Sequence, residues 1–206
     1  MWTETREKGV NSASTAATIE SQWNLPYRGH VGIFCLIAAE SAIFIIFVVA
    51  YLFYVGKSVT GPTPAEVLEL PIFASICLLS SSVTIHLALS ALRREKLGSF
   101  GLWWALTFLL GAIFLLETGI EWHRLIYQKG LTVSTNLFGT TYYSLVGLHA
   151  SHVTVGLVLL LTVLIFFLLG KVSSAQKERL DVLSYYWHFV DAVWVVVFLV
   201  VYILGR

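Results

Sequence analysis

His188 and Asp191 stand three residues apart in the run Tyr185-Tyr186-Trp187-His188-Phe189-Val190-Asp191-Ala192-Val193-Trp194, inside the last of several long apolar stretches. At that spacing on a helix the two side chains share a face, and the carboxylate can accept from an imidazole N–H. Such a pair lowers the cost of burying either partner. An ionisable group in hydrocarbon otherwise costs roughly 2.5–3.5 kcal/mol on insertion scales, so it is retained where it faces protein, lipid headgroup or a water path. Two chemistries fit the pair: a proton relay, or a structural contact that pins the helix.

Three further groups have the same character. His149 and His152 lie one turn apart, with Gly156 continuing their face; the spacing permits joint ligation of a metal, but two ligands do not close a zinc site, which wants four. A buried pair bonded to hydroxyls and aromatics is the expected arrangement. Glu40 falls about 14 Å into the first apolar run, near the bilayer centre, with Phe44, Phe47 and Tyr51 following at helical spacing. A carboxyl at that depth serves as a proton-exchanging or lipid-contacting site, or as a neutral acid bonded across helices. Glu117 and Glu121 stand one turn apart near the end of the third run, where Glu121 and Arg124 at i and i+3 are expected to pair, leaving the deeper Glu117 as the more interesting acid.

The elements that must position these groups follow from composition. The 206 residues are 57% hydrophobic and only 12% charged, with a mean hydropathy of +0.80, whereas about a quarter of the residues of a soluble domain are charged. This is an all-α integral membrane protein, with spans expected over residues 31–55, 71–92, 101–126, 142–169 and 184–204, each near the 20 apolar residues a crossing helix needs. Short loops predict successive helices as antiparallel neighbours in one five-helix bundle. The first 30 residues form a polar tail without the core and cleavage site of a secretory signal, so no processing is expected. Arg6, Lys8, Arg28, Arg93, Arg94, Lys96, Lys171, Lys177 and Arg179 fall on one side, against Lys57, Arg124, Lys129 and Arg206 on the other. That bias places the N-terminus in the cytoplasm and the C-terminus outside.

Packing is expected at small residues, Ala38 with Ala42, Gly101 with Ala105 and Gly147 with Ser151, and through the hydroxyls of Ser80, Ser81, Ser82 and Thr84. Trp103, Trp104, Trp122, Tyr142, Tyr143, Trp187 and Tyr202 near span ends predict an interfacial aromatic belt. Cys35 and Cys77 sit near opposite faces, too far apart for a disulfide, and both read as buried packing residues. No basic cluster or phosphate loop suggests nucleic acid. A b-type cytochrome needs facing histidines on two helices, and His86 with His188 is the one pair that could serve. A small transporter using Glu40 and Asp191 is a third class, disfavoured by the lack of internal repeats.

From about Tyr27 to Arg206 the chain resembles subunit III of haem-copper terminal oxidases. The resemblance is carried by Glu40-Ser41 with its trailing aromatics, Ser81-Ser82-Val83-Thr84, Glu121-Trp122, Phe138-Gly139-Thr140-Thr141, Gly147-Leu148-His149 with His152-Val153 and Gly156, and Tyr186-Trp187-His188-Phe189-Val190-Asp191 with Val193-Trp194. It implies a non-catalytic, cofactor-free subunit docked directly on subunit I, in a complex with subunits II and IV, where the partners hold the haems and copper. It implies phospholipid in a cleft beside Glu40, support for proton uptake and a place in the bacterial cytoplasmic membrane. His149, His152, His188 and Asp191 match polar positions of the family, none of them a redox ligand. Seven-span members have two further N-terminal helices; this chain resembles the five-span kind, as in bacterial quinol oxidases. Some members carry adjacent histidines where Leu89 and Ser90 stand here. Cytochrome c is the expected electron donor of the complex, with quinol as the alternative.

Overall fold

The computed structural model describes residues 28–205 except 59, 174 and 175. Most of the expected polar tail, 1–27, therefore lies outside the described residues. Among the described residues five helices are long and apolar enough to cross a membrane: α1 (Arg28–Tyr54), α2 (Ile72–Arg93), α3 (Leu97–Tyr127), α4 (Leu137–Leu168) and α5 (Lys177–Phe198), the last continuing as a π-helical turn over Leu199–Leu204. The last three helices outrun the apolar stretches that betray them. α4 and α5 begin five or more residues before their hydrophobic runs, because a helix satisfies its own backbone whether its side chains meet lipid or water.

Local chemistry sets the ends. Gly56, at φ +74°, ends the run after α1 in a conformation open to glycine, and Gly170, at φ +69°, does the same after α4. The Asn136 side chain accepts from the Gly139 N–H at 2.8 Å and caps α4. Pro71 precedes α2, and Pro64 opens the one-turn helix Pro64–Val67 in the preceding loop, positions where a missing N–H costs nothing.

α2 and α3 form the most extensive pair; α3 then packs on α4, α4 on α5, and α5 back on α2, closing a ring of four. α1 lies outside that ring, seated against α4 and α5, and α2 is not among its main neighbours. This corrects the expected sequential order. The loop after α1 is responsible: it runs over the start of α4, where Asn136 Nδ2 donates to the carbonyls of Thr60 and Pro62 and Ser58 Oγ accepts from the Phe138 N–H, all at 3.2 Å.

The core is aromatic. Trp104, Trp187, Trp194, Tyr51, Tyr142 and Tyr202 are buried, so Trp104, Trp187, Tyr142 and Tyr202 belong to the interior and not to the expected interfacial belt. Their polar atoms are met by neighbours: Trp187 Nε1 donates to Ser81 Oγ at 2.8 Å, Trp194 Nε1 to Ser75 Oγ at 3.1 Å, and Trp104 Nε1 to the Leu160 carbonyl at 3.0 Å. Interhelical bonds of this kind average about 0.6 kcal/mol in a membrane. Space for Trp187 comes from Gly111 and Gly156, where an added Cβ would lie 2.7 Å from its ring; Phe167 presses in the same way on Gly101. Cys77 is buried as expected, but Cys35 is exposed, because α1 buries only the narrow stripe that faces α4 and α5.

Candidate functional sites

The polar side chains of the spans gather into separate groups. In the first, α5 supplies His188 and Asp191 and α2 supplies Ser82. The two α5 residues do not bond to each other, as their spacing suggested. Ser82 Oγ bridges them, lying 3.0 Å from His188 Nδ1 and forming a very short hydrogen bond with Asp191 Oδ2. A hydroxyl has one proton to give. If Ser82 donates to the carboxylate, His188 Nδ1–H donates to Ser82, and the three groups form a relay from imidazole to acid. Asp191 is 3% exposed, and its Oδ1 has no hydrogen-bond partner among the described residues.

The second group joins α1 to α4. Glu40 Oε2 lies 3.1 Å from His152 Nε2, and His152 Nδ1 lies 2.8 Å from the Leu148 carbonyl. That carbonyl can only accept, so Nδ1 carries a proton. Nε2 then either accepts from the neutral acid or donates to the carboxylate, and the pair shares one mobile proton. Both side chains are partly exposed, at 24% for Glu40 and 14% for His152. They line an open cavity of about 230 Å³ with Leu36, Ser151, Val155 and Tyr186. Tyr186 Oη donates to the His152 carbonyl at 3.1 Å, which fixes α5 against α4 behind the pair.

His149 and His152 do not form a joint site. His149 is fully buried, stacked on Trp194 with ring centroids 5.1 Å apart and with the Phe114 ring edge-on at 5.8 Å. Neither of its ring nitrogens has a hydrogen-bond partner among the described residues. Aromatic rings hold it, and not the hydroxyls expected for it.

At the other end of the bundle Glu121 turns inward from α3 and accepts from Tyr202 Oη at 3.1 Å, with Tyr142 Oη at 3.5 Å; the two phenols lie 3.3 Å apart. The local pair with Arg124 does not form: Arg124 Nη1 reaches Glu69 Oε2 at 2.7 Å in the preceding loop. Glu117, expected to be the deeper and more interesting acid, is exposed, on the wall of a groove of about 250 Å³ shared with Glu69 and Arg124. Sequence reasoning passed over Tyr142 and Tyr202 as partners of the acid because both sit on other helices, although their hydroxyls near span ends were a signal. Among the described residues no three His, Cys, Asp or Glu side chains come together as a metal-binding set.

Five crossing helices with acids and imidazoles matched across helices define a multi-pass α-helical membrane protein. Residues 28–206 match the family described as Cytochrome c oxidase subunit III. The chain is 32% identical to cytochrome c oxidase subunit 3 of Alkalihalophilus pseudofirmus over 200 residues, covering 96% of this chain and 95% of that one. It is 36% identical to the Synechocystis protein of the same name over 208 residues, 99% and 88% of the two chains. With that of Bacillus sp. strain PS3 it shares 33% over 177 residues, 85% of each. The chain belongs to the cytochrome c oxidase subunit III family, the accessory subunits of haem-copper oxidases.

Proposed function

We propose that this chain is the non-catalytic subunit III of a bacterial haem-copper terminal oxidase that passes electrons from cytochrome c to oxygen and couples the reaction to proton translocation. It lies in the cytoplasmic membrane with the N-terminus cytoplasmic, on the evidence of where its lysines and arginines fall. Haems and copper belong to its partners; this chain packs directly against the oxygen-reducing subunit I, beside subunits II and IV. Cytochrome c is favoured over quinol because the relatives at 30–38% identity carry cytochrome c oxidase in their names.

The observation that carries this reading is how the intramembrane groups are occupied. Glu40 is engaged by His152, Asp191 and His188 by Ser82, and Glu121 by Tyr202. These contacts hold helices together, and Glu40 with its histidine lies beside an open cavity whose other lining is mainly apolar. There it supports proton exchange and lipid contact at the flank of the complex. The cavity is apolar around the pair, suited to acyl chains of a phospholipid.

Isolation from native membranes in mild detergent by a tag on this chain tests the reading. The oxygen-reducing subunit should come with it, together with its haem spectrum and oxygen uptake from reduced cytochrome c. This chain stripped of its companions should show no Soret band. A stoichiometric Soret band in the stripped chain, lost on His86→Ala or His188→Ala, would overturn the reading in favour of a self-contained b-type cytochrome.

A further inference from the structure

α1 and α2 are not packed against one another, so α5, which touches both, is open along the strip between them. Val195 and Leu199, at 49% and 50% exposed, lie on that strip, with Ala192. Leu79 and Val83, at 42% and 61% exposed, mark its α2 wall. An apolar groove of about 190 Å³ continues it between α5 and α1, past Ser41, Ile45 and Val48.

Taken alone the strip is an uncovered apolar face, as suited to lipid as to protein. Its polar end decides between them. The Arg93–Asp181 ion pair, 3.0 Å, ties the ends of α2 and α5 together. Two turns inward from it on each helix, about 10 Å at 1.5 Å per residue, stand His86 and His188. His86 is exposed and makes no hydrogen bond to any described residue, and it lies close enough to His188 to interact with it electrostatically. His188 Nδ1 is taken by Ser82, which leaves Nε2 without a hydrogen-bond partner among the described residues. Acyl chains satisfy Val83 and Val195, but they offer nothing to two imidazoles, and polar groups kept inside a membrane face protein or water. A transmembrane helix seated on the strip, with a hydrogen-bonding side chain at that level, meets both demands.

We infer that the α1–α5–α2 strip is the docking face of this chain, and that it receives one transmembrane helix of the oxygen-reducing subunit, keyed by a polar side chain against His86 and His188. The inference rests on the function proposed above. In that role His86 is a positioning residue, and register along the strip is set by the two imidazoles.

The test uses the intact complex. A photo-activated benzophenone amino acid placed singly at Val83 or Val195 should cross-link in high yield to the oxygen-reducing subunit, while the same group at Leu116, exposed on α3, should give several-fold less. His86→Leu should release this chain from the complex several-fold more readily in detergent, and His86→Gln, which keeps a hydrogen-bonding side chain, should restore retention. If the oxygen-reducing subunit co-purifies but Val83 and Val195 label lipid or a different chain, the docking face is wrong and the proposed function stands. If that subunit does not co-purify with the unsubstituted chain, both fall.

Discussion

Asp191 and Glu121 are acids inside spans, and both are met by hydroxyls and not by cations. A hydroxyl lets an acid keep or lose its proton without leaving a bare cation in hydrocarbon, and its removal strands the acid. Ser82→Ala should therefore destabilise the protein by about 1–3 kcal/mol, the cost of leaving a buried polar group unsatisfied. Asp191→Asn in the same background should recover part of that loss, and thermal unfolding in detergent measures both. Outside the spans, the Thr63 N–H donates to Glu66 Oε2 at 2.9 Å and holds that carboxyl below its usual 4.5. A carboxyl lowered by folding stabilises the fold above its ordinary value, and the contribution disappears as pH falls through the lowered one. Protection of the Thr63 amide from hydrogen exchange should fall on acidification below about pH 4.5, and should be pH-independent there in Glu66→Gln. At this scale the sequence shows which residues matter but not whom they meet. That His188 and Asp191 share a face was legible because helix spacing is local, but the direct bond expected between them does not form, because Ser82, from a helix more than a hundred residues away, stands between them. The Glu121–Arg124 pair failed for the same reason, since Tyr202 and Glu69 offered better partners through space.

Helices here interlock by placing large rings against glycine. Trp187 occupies the hollow left by Gly111 on α3 and Gly156 on α4, and donates to Ser81 on α2, so one side chain of α5 reads three other helices. Gly156→Ala should cost about 1–3 kcal/mol by overpacking, seen as a lower melting temperature. Trp187→Phe in the Gly156→Ala background should be less harmful than the two single losses summed, because the smaller ring yields the contested space. Hydropathy locates a tryptophan along its helix and says nothing of the direction in which it points around it. For that reason the spans were legible, while Trp104, Trp187, Tyr142 and Tyr202 were misplaced in an aromatic belt.

Across the whole molecule α1 is the loosely held piece. One polar fastening of it is the Glu40–His152 contact, supported by Phe44 against His152 and Phe189. Cys35 is exposed on this helix and the second cysteine is buried, so a thiol-reactive spin label reports on α1 without any engineered site. His152→Leu should narrow the lines of that label's spectrum as the helix loosens, and His152→Gln, which can still bond to Glu40, should leave them broad. The number of crossings and their all-helical character were legible from the composition and from the lengths of the apolar runs. Their arrangement was not, because a loop's length says how far the chain can travel and not what it will be tied to.

The seat of α1 is built from α4 and α5, both of which follow it at a distance in the chain. α1 must therefore wait in the bilayer, its acid unmatched, until both of those helices have been made. During that interval Glu40 has no His152 to meet, so the carboxyl that later fastens the helix is, while the chain is being made, a cost of keeping it in lipid.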